Sequence, residues 1–359
     1  MIYTWFFNLS SDFPIFNVFQ YITFRSFLAF FTAFFVCWFL GGFFISRATK
    51  DARLGENINT DGPSSHQRKK GTPTMGGSFM LFGLLSVCIL WVNFLNPLVL
   101  ATIAIVYGFA LLGLWDDILK LKKKNFRGIP ARWRFFVEIG FSFLVLYLLG
   151  HHNIITTELH FPFFKDFTFD LGIFYFLFGA FVITGCANAV NLTDGLDGLA
   201  VFPVVVCAAA LSVFTYSTGH FEIAHYLNLP YIYGSGELTV LGSAVVACGL
   251  GFLWYNSYPA QVFMGDVGAL GLGSFLGILA VLTKNELLLV ILGGLFVVEA
   301  LSVIFQVLSY QLTGKRIFKM APIHHHFELK GVSESKIIIR FWIISILLAV
   351  ISFATLKVR

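Results

Sequence analysis

Five short stretches of this 359-residue sequence carry more polar side chains than a chain reversal needs. Asp116-Asp117 closes an apolar run and is followed by Lys120, Lys122, Lys123, Lys124, Arg127, Arg132 and Arg134. Adjacent carboxylates repel and are costly to desolvate, so this pair belongs in a watered cavity with a cation or a proton-transfer task, unless it simply ends a solvated helix. The stretch Asn188-Ala-Val-Asn191-Leu-Thr-Asp194-Gly195-Leu196-Asp197-Gly-Leu-Ala200 holds two asparagines, two aspartates and a threonine. Asp194 and Asp197 are three apart and would share one face of a helical turn, although short Asn/Asp/Gly clusters also make plain turns. Asn256 precedes Gln261-Val-Phe263-Met-Gly-Asp266-Val-Gly268, with Asp266 at the start of an apolar run. A carboxylate there complements a helix dipole or holds magnesium, which typically takes one or two carboxylates and completes its shell with water and phosphate oxygens.

The other two stretches supply donors. Arg68-Lys69-Lys70-Gly-Thr-Pro-Thr74-Met-Gly-Gly77 sets glycines and hydroxyls beside lysines, a combination that offers backbone N–H groups and positive charge to a phosphate. Ala321-Pro-Ile-His324-His325-His326-Phe-Glu-Leu-Lys-Gly331 has three consecutive histidines but no cysteine or second histidine pair at zinc-ligand spacing, so bonding to phosphate or shaping a site suits it better. Two like charges 4 Å apart at an effective dielectric near 20 repel by about 4 kcal/mol. Joining one phosphate compound to another therefore needs fixed cations and a metal, and these stretches contain candidates for both.

The elements that must position these groups are membrane helices. With 57% apolar and 12% charged residues and a mean hydropathy of +0.82, the chain is far from the roughly 25% charged average of soluble domains. Apolar stretches long enough to cross a hydrocarbon core recur from end to end, and the spacing predicts about ten helices: 20–45, 76–95, 98–115, 135–150, 171–190, 199–217, 237–256, 268–283, 287–312 and 337–356. None alternates like a barrel strand, so the expected class is an all-α polytopic membrane protein with one domain over 1–359. The first span has no basic leader or cleavage site before it and is expected to be retained. Five cysteines sit singly in apolar runs as small core residues. Residues 151–170 alternate aromatic and polar types and suggest a short hairpin.

Loop parity then separates the two faces. The loops after the odd-numbered spans hold 19 of the 24 Lys and Arg residues, and all five polar stretches lie in them. The positive-inside rule makes that face cytoplasmic and puts both termini outside. A transporter would instead line a path at mid-membrane with its acids.

The ordered motifs KKGTPTMGG, DD, NAVNLTDGLDGLA, QVFMGDVG and APIHHHFELKG resemble the polyprenyl-phosphate N-acetylhexosamine-1-phosphate transferase superfamily, and the Pro-Ile-His-His-His-Phe-Glu form is similar to its muramoyl-pentapeptide branch. The likeness covers about nine-tenths of the chain. It implies a bacterial inner-membrane enzyme in which undecaprenyl phosphate attacks the β-phosphate of UDP-MurNAc-pentapeptide, giving lipid I and UMP with Mg2+ required. By resemblance Asp266 binds the metal, and Asp116 is either the base that deprotonates the lipid phosphate or a covalent nucleophile, the former being favoured, with Asp117 its neighbour. Lys69, Thr74 and Lys120 fall near the phosphates. Asn188, Asn191, Asp194 and Asp197 fall near the nucleotide sugar and metal, while Gly195, Leu196, Asn256 and Phe263 form a uridine pocket with Phe263 stacked on uracil. His324, His325 and His326 match the catalytic histidine motif. A sister enzyme moving GlcNAc-1-phosphate is the nearest rival; no nucleic-acid partner is expected, and a homodimer stays open. Arg134 stands where the family has lysine, and Glu299, inside the ninth span, has no assigned chemistry beyond interhelical hydrogen bonding.

Overall fold

Inside lipid a backbone can satisfy its polar groups only within a helix or a closed barrel, and this chain takes the helical solution. The structure, a computed structural model, describes residues 2–49, 71–123, 128–164 and 167–358. Its helices are α1 (Ile2–Asn8), α2 (Ile22–Ala48), α3 (Gly77–Trp91), α4 (Pro97–Lys123), α5 (Ala131–His151), α6 (Phe174–Thr193), α7 (Val201–Gly219), α8 (Phe221–Leu227), α9 (Leu238–Asn256), α10 (Gly265–Leu282), α11 (Glu286–Leu292), α12 (Gly294–Thr313), α13 (Ile323–Glu328) and α14 (Glu334–Val358). Among the described residues nine helices are long and apolar enough to cross a membrane, and α3 is a shorter apolar tenth. The hairpin forms as β1 (Glu158–His160) antiparallel to β2 (Thr168–Asp170), with Leu159 opposite Phe169.

The expected ninth span is not one helix. It breaks at Gly293 into α11 and α12, with Gly293 N–H bonded back to Leu289 O and Val297 N–H starting the next helix on Gly293 O. Paired glycines are a recognised cause of such a break.

α10 is the axis of the bundle. Its 18 residues rise about 27 Å, enough for a hydrocarbon core, and 89% of them are buried, against 22% of the measured window of α2. Small residues let its backbone meet its neighbours, as at other membrane helix contacts. A Cβ on Gly273 would lie 2.6 Å from Ala187 Cα, and one on Gly277 would lie 2.6 Å from Ile183 Cα, so only glycine permits the seam with α6. α10 runs antiparallel to α4 and α6. Its start meets Gly113 near the end of α4, while at its other end Val281 O accepts from Tyr175 Oη near the start of α6. At that far end Leu98, Leu282 and Lys284 border one cavity of about 890 Å³. The polar ends of α4 and α6 therefore gather beside the polar start of α10.

Candidate active site

The close approach of α4 to α10 assembles the acidic groups. A Cβ on Gly113 would sit 2.4 Å from Asp266 O, so the missing side chain lets the last turns of α4 carry Asp116 and Asp117 against the first turn of α10. One carboxylate oxygen from each of Asp116, Asp117 and Asp266 lies within 4.8 Å of the other two. Gly265 turns the chain into α10 at φ +73°, a conformation that side chains resist. Its missing Cβ also leaves room for Asp117, whose Oδ2 accepts from Val267 N–H at 3.2 Å and so satisfies one of the unpaired donors at the helix start.

Two cations interleave with the three acids. Lys120 Nζ lies 2.7 Å from Asp116 Oδ2, 3.0 Å from Asp266 Oδ2 and 3.9 Å from Asp117 Oδ1. Arg134, in the first turn of α5, donates to Asp266 Oδ2 at 2.8 Å and to Asn188 Oδ1 at 3.2 Å. Asn188 is itself held by Glu138 Oε2 at 2.6 Å and Thr184 O at 2.9 Å, and Glu138 lies 3.6 Å from Arg134 Nε. Asp116 Oδ1 accepts from Ile129 N–H in the loop after α4.

Three carboxylates against two directly bonded cations suit a divalent ion. All the ligand atoms are oxygens, a donor set that fits Mg2+ better than zinc. Both Lys120 and Arg134 bond Asp266 through Oδ2, so Asp266 Oδ1, with Asp117 beside it, is the group that would hold it.

A second group of residues lies where α6 runs out. Asn256 joins two loops, accepting Gly198 N–H at 2.9 Å and donating to Val262 O at 2.8 Å. Asp197 Oδ2 accepts Ala260 N–H at 2.9 Å, and Asp197 N–H reaches Glu334 Oε1 at 3.3 Å. Leu196 is buried with Leu199, Leu295, Ile337, Ile338 and Phe341. Gly195 packs on His324: a Cβ there would lie 2.4 Å from His324 Nε2. Asn191 and Asp194 are half-buried beside this loop, as is Phe263. The Phe263 backbone pairs with Pro73 O and Gly76 N–H, which fastens the Thr74 segment to the approach to Asp266. Thr74 is buried. Lys69 lies outside the described residues.

The three histidines have three different settings. His324 is fully buried, with Nδ1 3.1 Å from Glu299 Oε1. His325 Nδ1 pairs with Glu328 Oε2 at 2.7 Å on its own helix. His326 Nδ1 accepts Lys319 N–H at 3.0 Å; burial, then Lys330 and Lys319, push this imidazole below its usual range and favour the neutral, accepting form. Glu138 and Glu334 were missed as site residues. Glu138 had a signal: a carboxylate inside an apolar helix, four residues after Arg134.

A membrane bundle of this kind, with acids and bases gathered at one end of its central helix, defines a membrane-embedded transferase acting on phosphate compounds, and residues 97–284 match glycosyl transferase family 4. Full-length relatives named phospho-N-acetylmuramoyl-pentapeptide-transferase are 52% identical in Citrifermentans bemidjiense, 51% in Geobacter sp. strain M21 and 50% in Pelobacter propionicus, with all of this chain and all of each relative aligned. The chain belongs to the phospho-N-acetylmuramoyl-pentapeptide-transferase family.

Proposed function

We propose that this protein transfers phospho-MurNAc-pentapeptide from UDP-MurNAc-pentapeptide to undecaprenyl phosphate on the cytoplasmic face of the bacterial inner membrane, giving lipid I and UMP. The observation that carries the reading is the three-aspartate cluster laced with Lys120 and Arg134, in a chain half identical to named transferases over its full length.

A lipid phosphate oxygen forms a bond to the β-phosphorus of the nucleotide, and the bond from that phosphorus to the bridging oxygen breaks, so the oxygen leaves on UMP. Mg2+, held by Asp266 with Asp117 beside it, would supply positive charge to the crowded phosphate oxygens. Lys120 bonds two of the three acids and is drawn toward the phosphates when they arrive. That movement releases Asp116 Oδ2 to take the residual proton of the lipid phosphate, while Ile129 N–H holds Oδ1. Little proton chemistry is needed for an oxygen that is already anionic, and alignment with charge neutralisation is the larger task. Arg134 stays with Asp266 and Asn188 and fixes the geometry of the metal carboxylate; its planar fork spends one nitrogen on each bond, Nη1 on Asp266 and Nη2 on Asn188.

The uridine is assigned to Gly195, Leu196, Asn256 and Phe263, with the half-buried Phe263 ring as the stacking surface and Asn191, Asp194 and Thr74 beside the sugar and phosphates. Asn256 and Asp197 contribute by holding the pocket's loops. Purified protein given undecaprenyl phosphate and either UDP-MurNAc-pentapeptide or UDP-GlcNAc should form lipid product and UMP with the first only. Product from UDP-GlcNAc alone would transfer the assignment to the sister activity.

A further inference from the structure

Glu299 is fully buried in α12, six residues past the break at Gly293, and both of its oxygens reach toward α13. Oε2 accepts the N–H of Ile323, the first residue of that short helix, at 2.9 Å, and Oε1 lies 3.1 Å from His324 Nδ1. A carboxylate inside a membrane span is costly unless it is engaged, and here every bond it makes serves the placing of one imidazole. Facing a carboxylate, Nδ1 carries a proton whether the ring is neutral or charged, so the tautomer and the ring plane are set together. Nε2 then points the other way. It is buried with no hydrogen-bond partner among the described residues, and it is aimed at Gly195.

The loop that follows α6 is pinned on its far side, where Gly198 bonds Asn256 and Trp342 and Asp197 bonds Ala260 and Glu334. At Gly195 the surface it meets is the edge of His324, and only a glycine lets the ring come so near. A buried nitrogen without a partner is costly, and such groups in native structures call for a functional explanation.

We infer that Glu299 is a positioning residue for nucleotide binding: it locks His324 so that Nε2 is offered to the uridine nucleotide held on the Gly195 loop. The inference rests on the assignment of that loop to the uridine of the substrate. The Glu299 carboxylate bonds Ile323 and His324 and is not one of the three grouped aspartates, so it acts through His324 rather than on the metal or the lipid phosphate.

The test is a double-mutant cycle of Glu299→Gln and His324→Ala, read as UMP affinity by calorimetry and as KM for each substrate. Gln keeps the volume but replaces one oxygen by an NH2 donor, so with its oxygen on Ile323 N–H it faces Nδ1 with a donor and disfavours the Nδ1–H tautomer that the carboxylate holds. The expected result for Glu299→Gln is an affinity for UMP and a KM for UDP-MurNAc-pentapeptide about tenfold worse, with KM for undecaprenyl phosphate unchanged. The double variant should be no worse than His324→Ala alone. Losses that add, or a KM change shared equally by the two substrates, would show that Glu299 only packs the helices and would overturn the inference. Glu299→Asp, which keeps the charge, is the folded comparison and should retain more UMP affinity than Gln. Because UMP binding is read directly, a wild-type protein that binds UMP but refuses the muramoyl substrate would sink the proposed function while leaving this positioning role standing.

Discussion

Asp266 is the residue on which the metal assignment turns, and its surroundings make it a clean target. When its carboxylate is removed, Lys120 keeps Asp116 and Arg134 keeps Asn188 and Glu138, so the neighbouring cations are not left unpaired. Asp266→Ala should therefore insert and fold normally yet lower UMP release by about a thousandfold, the upper end of what loss of one preorganised electrostatic group costs. Chelation of divalent ions should stop turnover of the wild type, and added Mg2+ should restore it, because the proposed ion would be held partly by substrate oxygens. Turnover near the wild-type rate in either case would remove the metal from the mechanism. Arg134 belongs to the same scale. Its bonds to Asp266 and Asn188 give it a place in the site.

Among the elements, the seam between α4 and α10 decides whether the aspartates meet. A methyl group on Gly113 would collide with the main-chain oxygen of Asp266, which cannot rotate away as a side chain would. Gly113→Ala should therefore cost about 1–3 kcal/mol of stability, as overpacking typically does, and should reduce activity more than an equally destabilising change at the far end of α10. Thermal unfolding and UMP release measured on the same detergent preparation check this. At that far end Lys284 is buried, bonds Thr156 O and lies 3.7 Å from the Tyr175 ring centroid. Burial pushes its ammonium down to about 8, against the opposing pull of Glu286, Glu158 and Asp170. Because the folded value lies below the ordinary 10.5, the unfolded chain binds more protons between those two values and stability should rise with pH across that window. Lys284→Met should flatten the rise; an unchanged slope in that variant would assign it to other groups.

For the molecule as a whole, the proposed reaction requires one face of the bilayer to hold all the chemistry. The antiparallel run of α10 against α4 and α6 puts Asp116, Asp117, Asn188 and Asp266 at one end, and Lys284 with the β1–β2 hairpin at the other. Lys330, exposed beyond α13 on the histidine side, and Glu222, exposed in α8 after α7 has crossed, sample the two ends. In intact cells a membrane-impermeant thiol reagent should label Glu222→Cys and leave Lys330→Cys unlabelled until the membrane is opened. The reverse pattern would put the site outside, away from a cytoplasmic nucleotide.

Hydropathy alone determined that this is a helical membrane protein, and the ten spans, the outlying hairpin and the polar loop clusters follow from length and composition, because lipid penalises any unpaired backbone and any stray charge. Asp116, Asp117 and Asp266 were legible for the same reason: acids at the ends of apolar runs are too costly to be incidental. The azimuth of each helix was not legible. A helix that is apolar on every side, as α10 is from Val267 to Leu282, carries no amphipathic stripe to say which neighbour it meets. The tertiary structure alone decided that α10 lies against α4 and α6, that Arg134 reaches Asp266, and that Glu299 turns toward His324. Those pairings depend on where glycine lets two backbones touch, and such a fit exists only between surfaces that the chain brings together after its helices have formed.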